Sequence, residues 1–245
     1  MPLARRARNR PAPRPDPVVR LLDDLAERPV NYDESTAPPR VTAGWHQDRR
    51  VVHLGDEPPG EPLVGGLFER AGDLVNSYEF SDPAIVRAAF RAPGDLLGRV
   101  MVLEGRFLLL RLLMGVRVTD RHDETDGRER RVGWSYQTLE GHIEQGRLTY
   151  EVAKALDTGR VEFRIIAHSR RAPIPNPVLR LGFRVFGRHT QQRFYRNALR
   201  RLRHLVRDPS PVPEPGPDGV VRAPTGSRPG RFEAWTVRVV DAGAR

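Results

Sequence analysis

The sequence predicts an α+β domain in which a curved antiparallel sheet wraps around one long C-terminal helix. The first sign is a run of strand-sized segments between residues 100 and 169, rich in branched and aromatic residues. The second is the turn chemistry between these segments, at Asp126-Gly127 and at residues 141–146 and 157–159. Because connections this short join antiparallel neighbours, the segments should form a meander. The third sign is a helical pattern that follows the meander.

The predicted strands of the meander cover residues 100–110, 116–122, 131–139, 147–156 and 161–169. The order before them is less regular. We expect a short helix at residues 21–27 and then coil over residues 38–66, where proline and glycine interrupt regular pairing. Residues 74–80 have the pattern of a strand, and an N-cap serine with proline in the first turn favours a helix over residues 81–90.

The C-terminal helix is predicted from Val178 onward by apolar residues that recur at spacings of three and four and so share one face. These residues are Leu179, Phe183, Phe186, Thr190, Phe194, Ala198, Leu202 and Leu205. The opposite face collects Arg193, Arg196, Arg200, Arg203 and Arg207. Arg201 is an exception near the apolar edge. The apolar face should pack on the sheet, which leaves the five arginines in solvent.

Length suits one domain with two appendages. We divide the 245 residues into a disordered basic arm (1–20), a folded domain (30–207) and a Pro/Gly-rich tail (208–245). Within the tail, residues 209–230 have the composition of a linker, and residues 231–240 end in a candidate edge strand.

Composition excludes several classes of site. The chain contains no cysteine, which excludes disulfides, thiolate zinc sites and a cysteine nucleophile. The most apolar run, residues 107–118, is interrupted by Arg111 and Arg117 and falls short of the ~20 residues of a membrane span. The basic N-terminal residues have no apolar stretch behind them, so no export signal is predicted. We expect a cytoplasmic protein with no metal site and no cofactor.

Charge is unevenly distributed along the chain. The formal net charge is +10, yet residues 170–207 hold eleven arginines and no acid, and residues 21–169 carry −6. One interpretation is charge complementarity within the molecule. The other is a surface for phosphate groups, either of nucleic acid or of anionic lipid. The densest polar patch of the helix is predicted at Arg188, His189, Arg193 and Tyr195.

Three motifs make the chain resemble a known family. They are NYD at residues 31–33, TLEGHIEQG at residues 138–146 and SRRAPIPNPVLRLGFRVFGRHTQQRFYR at residues 169–196. With them, residues 30–207 resemble the domain-of-unknown-function family nineteen-ninety, within the superfamily of START and pollen-allergen-like (SRPBCC) domains. The resemblance implies a helix-grip fold with a cavity between the sheet and the C-terminal helix. It supplies no established catalytic residues.

Superfamily relatives bind lipids, hormones and polyketide-like molecules, so the resemblance implies a binder of a small hydrophobic or amphipathic molecule. The residues expected to contact it are Tyr136, His142, Tyr150, Phe163, Phe186 and Phe194. For Tyr136, Tyr150 and Phe163, the more ordinary interpretation is that they belong to the aromatic core. One alternative is an enzyme of the polyketide cyclase or hydratase type in the same cavity. A second is binding of nucleic acid or an anionic lipid surface through the arginine-rich helix.

Candidate acids and bases each have two interpretations. His142 lies in a glycine-bounded connection, with Glu144 and Tyr136 nearby. There it either transfers protons or holds a ligand carboxylate, or it only stabilises the turn. Glu151 and Glu162 would be buried acids or bases if they point inward, and the simpler expectation is that both face solvent.

Overall fold

The structure, a computed structural model, describes residues 17–33, 44–107, 110–173, 177–208, 212–227 and 237–240. Its helices are α1 (Pro17–Ala26), α2 (Leu67–Asn76) and α3 (Pro177–Leu205). Its strands are β1 (Trp45–Asp56), β2 (Val86–Arg91), β3 (Val100–Phe107), β4 (Leu110–Thr125), β5 (Glu129–Thr138), β6 (Glu144–Ala155), β7 (Arg160–Arg171), β8 (Val220–Ala223) and β9 (Val237–Val240).

Eight strands form one antiparallel path in the order β1-β7-β6-β5-β4-β3-β2-β8, and β9 pairs in parallel with β4. The predicted meander is confirmed, since β3 to β7 each pair with the next strand along the chain. The prediction left residues 111–115 outside any strand, whereas β4 runs through them. Gly115 permits α1 to pack closely there, because a Cβ atom at this position would lie 2.3 Å from Leu25 Cδ2. The glycine marks a close contact rather than a break.

Residues 38–66 were predicted as coil, and this is wrong because β1 lies among them. The prolines that motivated the prediction stop at Pro39 and resume at Pro58, so the residues between them are free to pair. β1 pairs along its whole length with β7 and with no other strand among the described residues. It is therefore an edge strand, which the local sequence alone does not reveal.

The predicted strand at residues 74–80 and helix at residues 81–90 are also wrong. Helix α2 begins earlier, and Phe68, Ala71, Leu74 and Val75 share its buried face. After it, Asp82 caps a single turn, and the chain then extends into β2. Pairing with β3 on one side and β8 on the other prevails over the local helix signal.

The inner face of the sheet packs against α2 and α3 and holds the main core. Trp134, Tyr150 and Phe163 belong to this face and are fully buried. The long C-terminal helix is confirmed, and its predicted apolar face is buried where the structure describes it, at Phe194, Ala198, Leu202 and Leu205. The side chains of Leu179, Phe183 and Phe186 lie outside the described residues.

The outer face of the sheet carries α1, which packs on β2, β3 and β4 through Leu21, Leu22 and Leu25. The predicted short helix thus extends back to Pro17, into the segment assigned to the basic arm; residues 1–16 lie outside the described residues. Arg117, which interrupts the apolar run, donates a hydrogen bond to the carbonyl oxygen of Ala26 at 2.7 Å.

The C-terminal tail takes part in the sheet. Residues 209–230 were predicted as a linker, yet β8 lies among them and pairs with β2. Just after β8, Thr225 donates hydrogen bonds from its backbone nitrogen (2.7 Å) and its hydroxyl to the buried carboxylate of Glu79. Strand β9 falls on the edge-strand candidate of the tail.

The one lysine of the chain is buried under the segment that leads into α2. Lys154 Nζ lies 2.9 Å from Glu57 Oε2 and 2.9 Å from the carbonyl oxygen of Glu61. Glu57 also accepts the backbone N–H of Phe68, in the first turn of α2, at 2.9 Å. Removing one partner of such a pair leaves a buried charge without compensation.

We expect Glu57→Gln to lower the free energy of unfolding by about 3 kcal/mol, because the Lys154 ammonium loses its counter-charge. Adding Lys154→Met should recover most of this loss. As a control, Asp23→Asn removes the exposed pair between Asp23 and Arg91 and should cost less than about 1 kcal/mol. Urea unfolding measures all three. Equal losses of unfolding free energy in Glu57→Gln and Asp23→Asn would contradict the assignment of Glu57 and Lys154 as a buried ion pair.

Candidate functional site

A cavity of about 120 Å³ lies between the inner face of the sheet and α3. Part of its wall is apolar and includes Ile85, Leu103, Met114, Leu148 and Phe194. The polar part of the wall consists of Tyr78, Arg106, Tyr136, His142, Glu144, Thr190, Gln191 and Tyr195. These polar residues come from the segment after α2, from β3, β5, β6 and α3, and from the β5–β6 connection, so the folded sheet is needed to bring them together.

Asn31 holds the β5–β6 connection in place. Its side-chain nitrogen donates to the carbonyl oxygen of Glu144 at 3.0 Å, and its backbone N–H donates to Thr138 at 2.9 Å. Gln145 donates back to the carbonyl oxygen of Asn31 at 2.9 Å. Asn31 and Glu144 belong to two different sequence motifs and are 113 residues apart in the chain. These hydrogen bonds join the two motifs into one structural unit at the cavity.

Glu144 presents a carboxyl group to the cavity. Its side chain is partly accessible, and the residue lines the cavity. Burial raises the pKa of Glu144 to about 7, although Arg188 and Arg171 act in the opposite direction. Gln191 Nε2 lies 3.4 Å from each carboxyl oxygen, and Glu144 forms no ion pair with the described residues. A carboxyl group in this state exchanges its proton readily at neutral pH.

His142 is buried, and its orientation is fixed by Nδ1, which lies 2.9 Å from the backbone nitrogen of Glu144 and 3.1 Å from its carbonyl oxygen. Burial lowers the pKa of His142 to about 4, so the ring is neutral at pH 7. Its Nε2 atom has no hydrogen-bond partner among the described residues, and the ring lines the cavity. The structure thus shows the ring stabilising the connection through Nδ1.

Four tyrosines surround the same region. Burial raises the pKa of Tyr78, Tyr136, Tyr150 and Tyr195, so each hydroxyl stays protonated at neutral pH. The buried hydroxyls of Tyr78, Tyr150 and Tyr195 form no hydrogen bond of good geometry with the described residues. Repulsion from the charge of Glu144 adds to the raised pKa of Tyr195 and Tyr136.

Helix α3 is attached to β1 through the buried carboxylate of Asp48. Arg188 donates to both carboxylate oxygens, with Nη2 at 2.8 Å from Oδ1, and Gln192 donates to Oδ1 at 2.9 Å. Burial by itself would raise the pKa of Asp48, but these hydrogen bonds and the charges of Arg188 and Arg50 more than offset it and lower the pKa. Arg188 also donates to Gln191 at 2.7 Å and thereby orients the amide that faces Glu144.

The comparison with known protein families matches the part of the chain that forms these contacts. A model of the family described as "Domain of unknown function (DUF1990)" matches residues 31–201, from Asn31 to the arginine-rich part of α3. The chain belongs to this family. No curated protein sequence matches the DUF1990 chain significantly.

Several solved structures are similar to this DUF1990 protein at low sequence identity. Ara h 8.0201 is 10% identical, with 67% of this chain and 99% of that chain covered and a TM-score of 0.39. Hypothetical protein jhp0584 from Helicobacter pylori is 11% identical, with 70% and 95% covered and a TM-score of 0.41. TTHA0849 from Thermus thermophilus is 10% identical, with 68% and 99% covered and a TM-score of 0.39. Similarities at these TM-scores carry no argument about function.

The structure places the six expected ligand contacts in three settings. Tyr136, His142 and Phe194 line the cavity. Tyr150 and Phe163 lie deeper in the aromatic core, both in contact with Phe80. The side chain of Phe186 lies outside the described residues, one position before Gly187 in the cavity wall.

Sequence reasoning gave little weight to the residues that dominate the polar wall. Glu144 was named only as a neighbour of His142, and Gln191 was not singled out. Tyr195 was predicted on the exposed patch of the helix, which is wrong because its side chain is fully buried. A helical wheel assigns Tyr195 to the boundary between the faces, and only the position of the sheet determines that it turns inward.

Glu151 and Glu162 lie on the outer face of the sheet. Both carboxylates pair with Arg164, at 3.3 Å and 3.2 Å, and Glu129 pairs with the same guanidinium at 2.6 Å. As expected, neither carboxylate points to the inner face of the sheet. Glu151 is nevertheless buried next to its ion-pair partner Arg164 and is not open to solvent.

The five arginines of the far helix face, Arg193, Arg196, Arg200, Arg203 and Arg207, are all exposed. None of them forms an ion pair within the part of the chain that the structure describes. Arg201 differs, since it donates to the carbonyl oxygen of Glu79 at 2.8 Å.

The described residues contain no group of three or more histidine, aspartate and glutamate side chains arranged to hold a metal ion. Among these residues, too, no helix has both the length and the apolar composition that crossing a bilayer requires.

We expect the stability of the Glu144→Gln variant, relative to the native protein, to rise by about 2 kcal/mol between pH 5 and pH 8. The folded state raises the pKa of Glu144 from 4.5 to about 7, so it binds more protons than the unfolded chain between these values. The stabilisation associated with the raised pKa is therefore complete below pH 4.5 and is lost as the pH rises through 7, whereas glutamine does not titrate.

Urea unfolding of both proteins across this pH range measures the difference, and subtraction cancels the opposite pH dependence of His142. Glu140→Gln is the matched control, because Glu140 is an exposed carboxylate in the same connection. Its difference from the native protein should stay nearly constant. A constant difference for Glu144→Gln as well would show that the carboxyl group is not buried.

Proposed function

We propose that this DUF1990 protein binds a compact amphipathic molecule in the cavity between the sheet and α3. The observation that carries the proposal is that buried polar groups without protein partners share one cavity with an apolar wall. The hydroxyl of Tyr195 is fully buried and forms no hydrogen bond with the described residues, and Nε2 of His142, another cavity residue, has no partner among them either. Because an unsatisfied buried hydroxyl costs free energy, a bound molecule that supplies the missing partner stabilises the folded protein.

The volume of the cavity restricts the size of the ligand. A cavity of about 150 Å³ in another protein accommodates benzene. The 120 Å³ found here therefore suits a single ring or a short chain with one or two polar substituents. A sterol or a long acyl chain would require the sheet and α3 to move apart.

Charge restricts the polar end of the ligand. The ionised form of Glu144 repels carboxylate or phosphate groups placed beside it, whereas it accepts a hydrogen bond from a hydroxyl group. The tyrosine hydroxyls and the neutral His142 ring are suited to a carbonyl or hydroxyl oxygen. Near Glu144, these properties favour an uncharged, oxygenated group, such as that of a phenol or a cyclic ketone. Arg106 also lines the cavity, but it lies on β3, three strands away from β6 in the sheet.

We expect phenol to bind the native protein and to lose binding in Leu148→Trp, because the indole fills the apolar part of the cavity. Ile166→Trp is the matched control, since Ile166 lies on the outer face of the sheet and is 39% exposed. Saturation-transfer NMR of phenol measures binding, and circular dichroism establishes that each variant is folded. Equal phenol saturation in folded Leu148→Trp would place phenol outside this cavity and overturn the proposal.

A second candidate function rests on the arginine face of α3. Arg193 and Arg207 are fourteen residues apart, so the face is about 21 Å long. Its aromatic neighbours, Phe194 and Tyr195, are buried and offer no surface for base stacking. Residues 21–169 carry a formal net charge of −6, which repels a polyanion that wraps around the protein. This charge does not oppose contact between one helix face and a flat anionic surface. We propose that this face binds the phosphate groups of an anionic lipid surface.

We expect the protein to co-sediment with phosphatidylserine-containing vesicles at low salt, and not with phosphatidylcholine vesicles. Changing Arg196, Arg200 and Arg203 together to glutamine should abolish co-sedimentation. The same change at Arg20, Arg49 and Arg70, which are exposed elsewhere, removes equal charge and should have little effect. If instead the α3 variant loses binding to duplex DNA or RNA and vesicles never bind, the face recognises nucleic acid and the lipid proposal is wrong.

A further inference from the structure

Glu144 has the surroundings of a base that acts on a bound molecule. Its carboxyl group faces the cavity and forms only long hydrogen bonds, of 3.4 Å, to Gln191. Arg188, the nearest arginine of α3, is directed instead to Asp48. The carboxylate is thus held in position by the fixed β5–β6 connection without being neutralised by a partner.

Tyr195 supplies a candidate donor in the same cavity. It lines the cavity, is fully buried, and its hydroxyl has no hydrogen-bond partner among the described residues. Glu144 lines the same cavity, and its charge contributes to the raised pKa of Tyr195. Donors that are fixed before a reaction stabilise an oxygen on which negative charge develops.

We propose that the cavity catalyses enolisation of a compact carbonyl compound. The carboxylate of Glu144 removes a proton from the carbon next to the carbonyl group, and the electron pair of that C–H bond moves to the carbonyl oxygen. The Tyr195 hydroxyl donates a hydrogen bond to this oxygen. Glu144 then returns the proton, to the same carbon or, in a β,γ-unsaturated ketone, to the γ-carbon. The second outcome moves the double bond into conjugation and consumes no other reactant.

The inference rests on the proposed ligand-binding function and adds the chemical class of substrate. Two properties support it. A base with a pKa of about 7 is suited to proton transfer near neutral pH. The apolar wall of the same cavity also holds the ring of the substrate beside the base.

The probe is 3-cyclohexen-1-one, a single ring of the expected size, whose conversion to 2-cyclohexen-1-one raises the ultraviolet absorbance. We expect the native protein to accelerate this isomerisation. Glu144→Gln should lower kcat/KM about 100-fold or more, because glutamine cannot accept the proton. Tyr195→Phe should lower it about 10-fold or more, and it breaks no hydrogen bond among the described residues, so the fold should be retained. Glu140→Gln should leave the rate unchanged.

Binding of 2-cyclohexen-1-one, measured by saturation-transfer NMR, separates the two proposals. Binding without isomerisation by the native protein overturns the catalytic inference and leaves the ligand-binding function intact. If the native protein neither binds 2-cyclohexen-1-one nor isomerises 3-cyclohexen-1-one, the ligand-binding proposal and the catalytic proposal are both overturned. Isomerisation that persists in Glu144→Gln shows that another group is the base and overturns the assignment. The rate should also rise between about pH 6 and pH 8 as Glu144 ionises, and a flat profile contradicts the mechanism.

Discussion

The cavity exists because the buried carboxylate of Asp48 holds α3 over the sheet. Arg188 and Gln192, both on α3, donate to this one side chain of β1. Such charge-assisted bonds are among the stronger polar contacts in proteins, and a bidentate arginine also fixes direction. The direction matters, because the same part of α3 carries Gln191 and Tyr195, which line the cavity together with Glu144. An edge strand that pairs with a single neighbour thereby determines the geometry of the polar wall.

The polar wall combines contacts that stabilise the fold with groups that remain unsatisfied. Asn31, Thr138 and the Nδ1 atom of His142 bind the backbone of the β5–β6 connection and keep it rigid. The carboxyl group of Glu144 forms only long hydrogen bonds to Gln191, and the hydroxyl of Tyr195 forms none with the described residues. Sites that act on other molecules often keep such groups at a cost in stability. A rigid backbone that carries unsatisfied side chains is the arrangement that binding and proton transfer both require.

Much of the fold could be predicted from sequence because its signals are local. Short turns and branched residues predict the meander, and the apolar spacing after Val178 predicts α3 with its arginine face. Strands β1 and β2 could not be predicted in this way, because each forms only by pairing with a strand that is distant in sequence. In the site, His142 was identifiable from its unusual connection. The significance of Glu144 was not, because a glutamate next to a turn is ordinarily solvated and only the packing of α3 buries it.

The burial of Lys154 has a consequence for the chemistry of the whole molecule. Every other basic side chain apart from histidine is an arginine, so Lys154 carries the one ε-amino group, and its side chain has no exposed surface. Reagents that acylate amines can therefore reach no side chain of the native protein. Modification at Lys154 requires the segment before α2 to separate from β6. The rate of acylation at this position thus reports local opening of the fold, without any label having to be introduced.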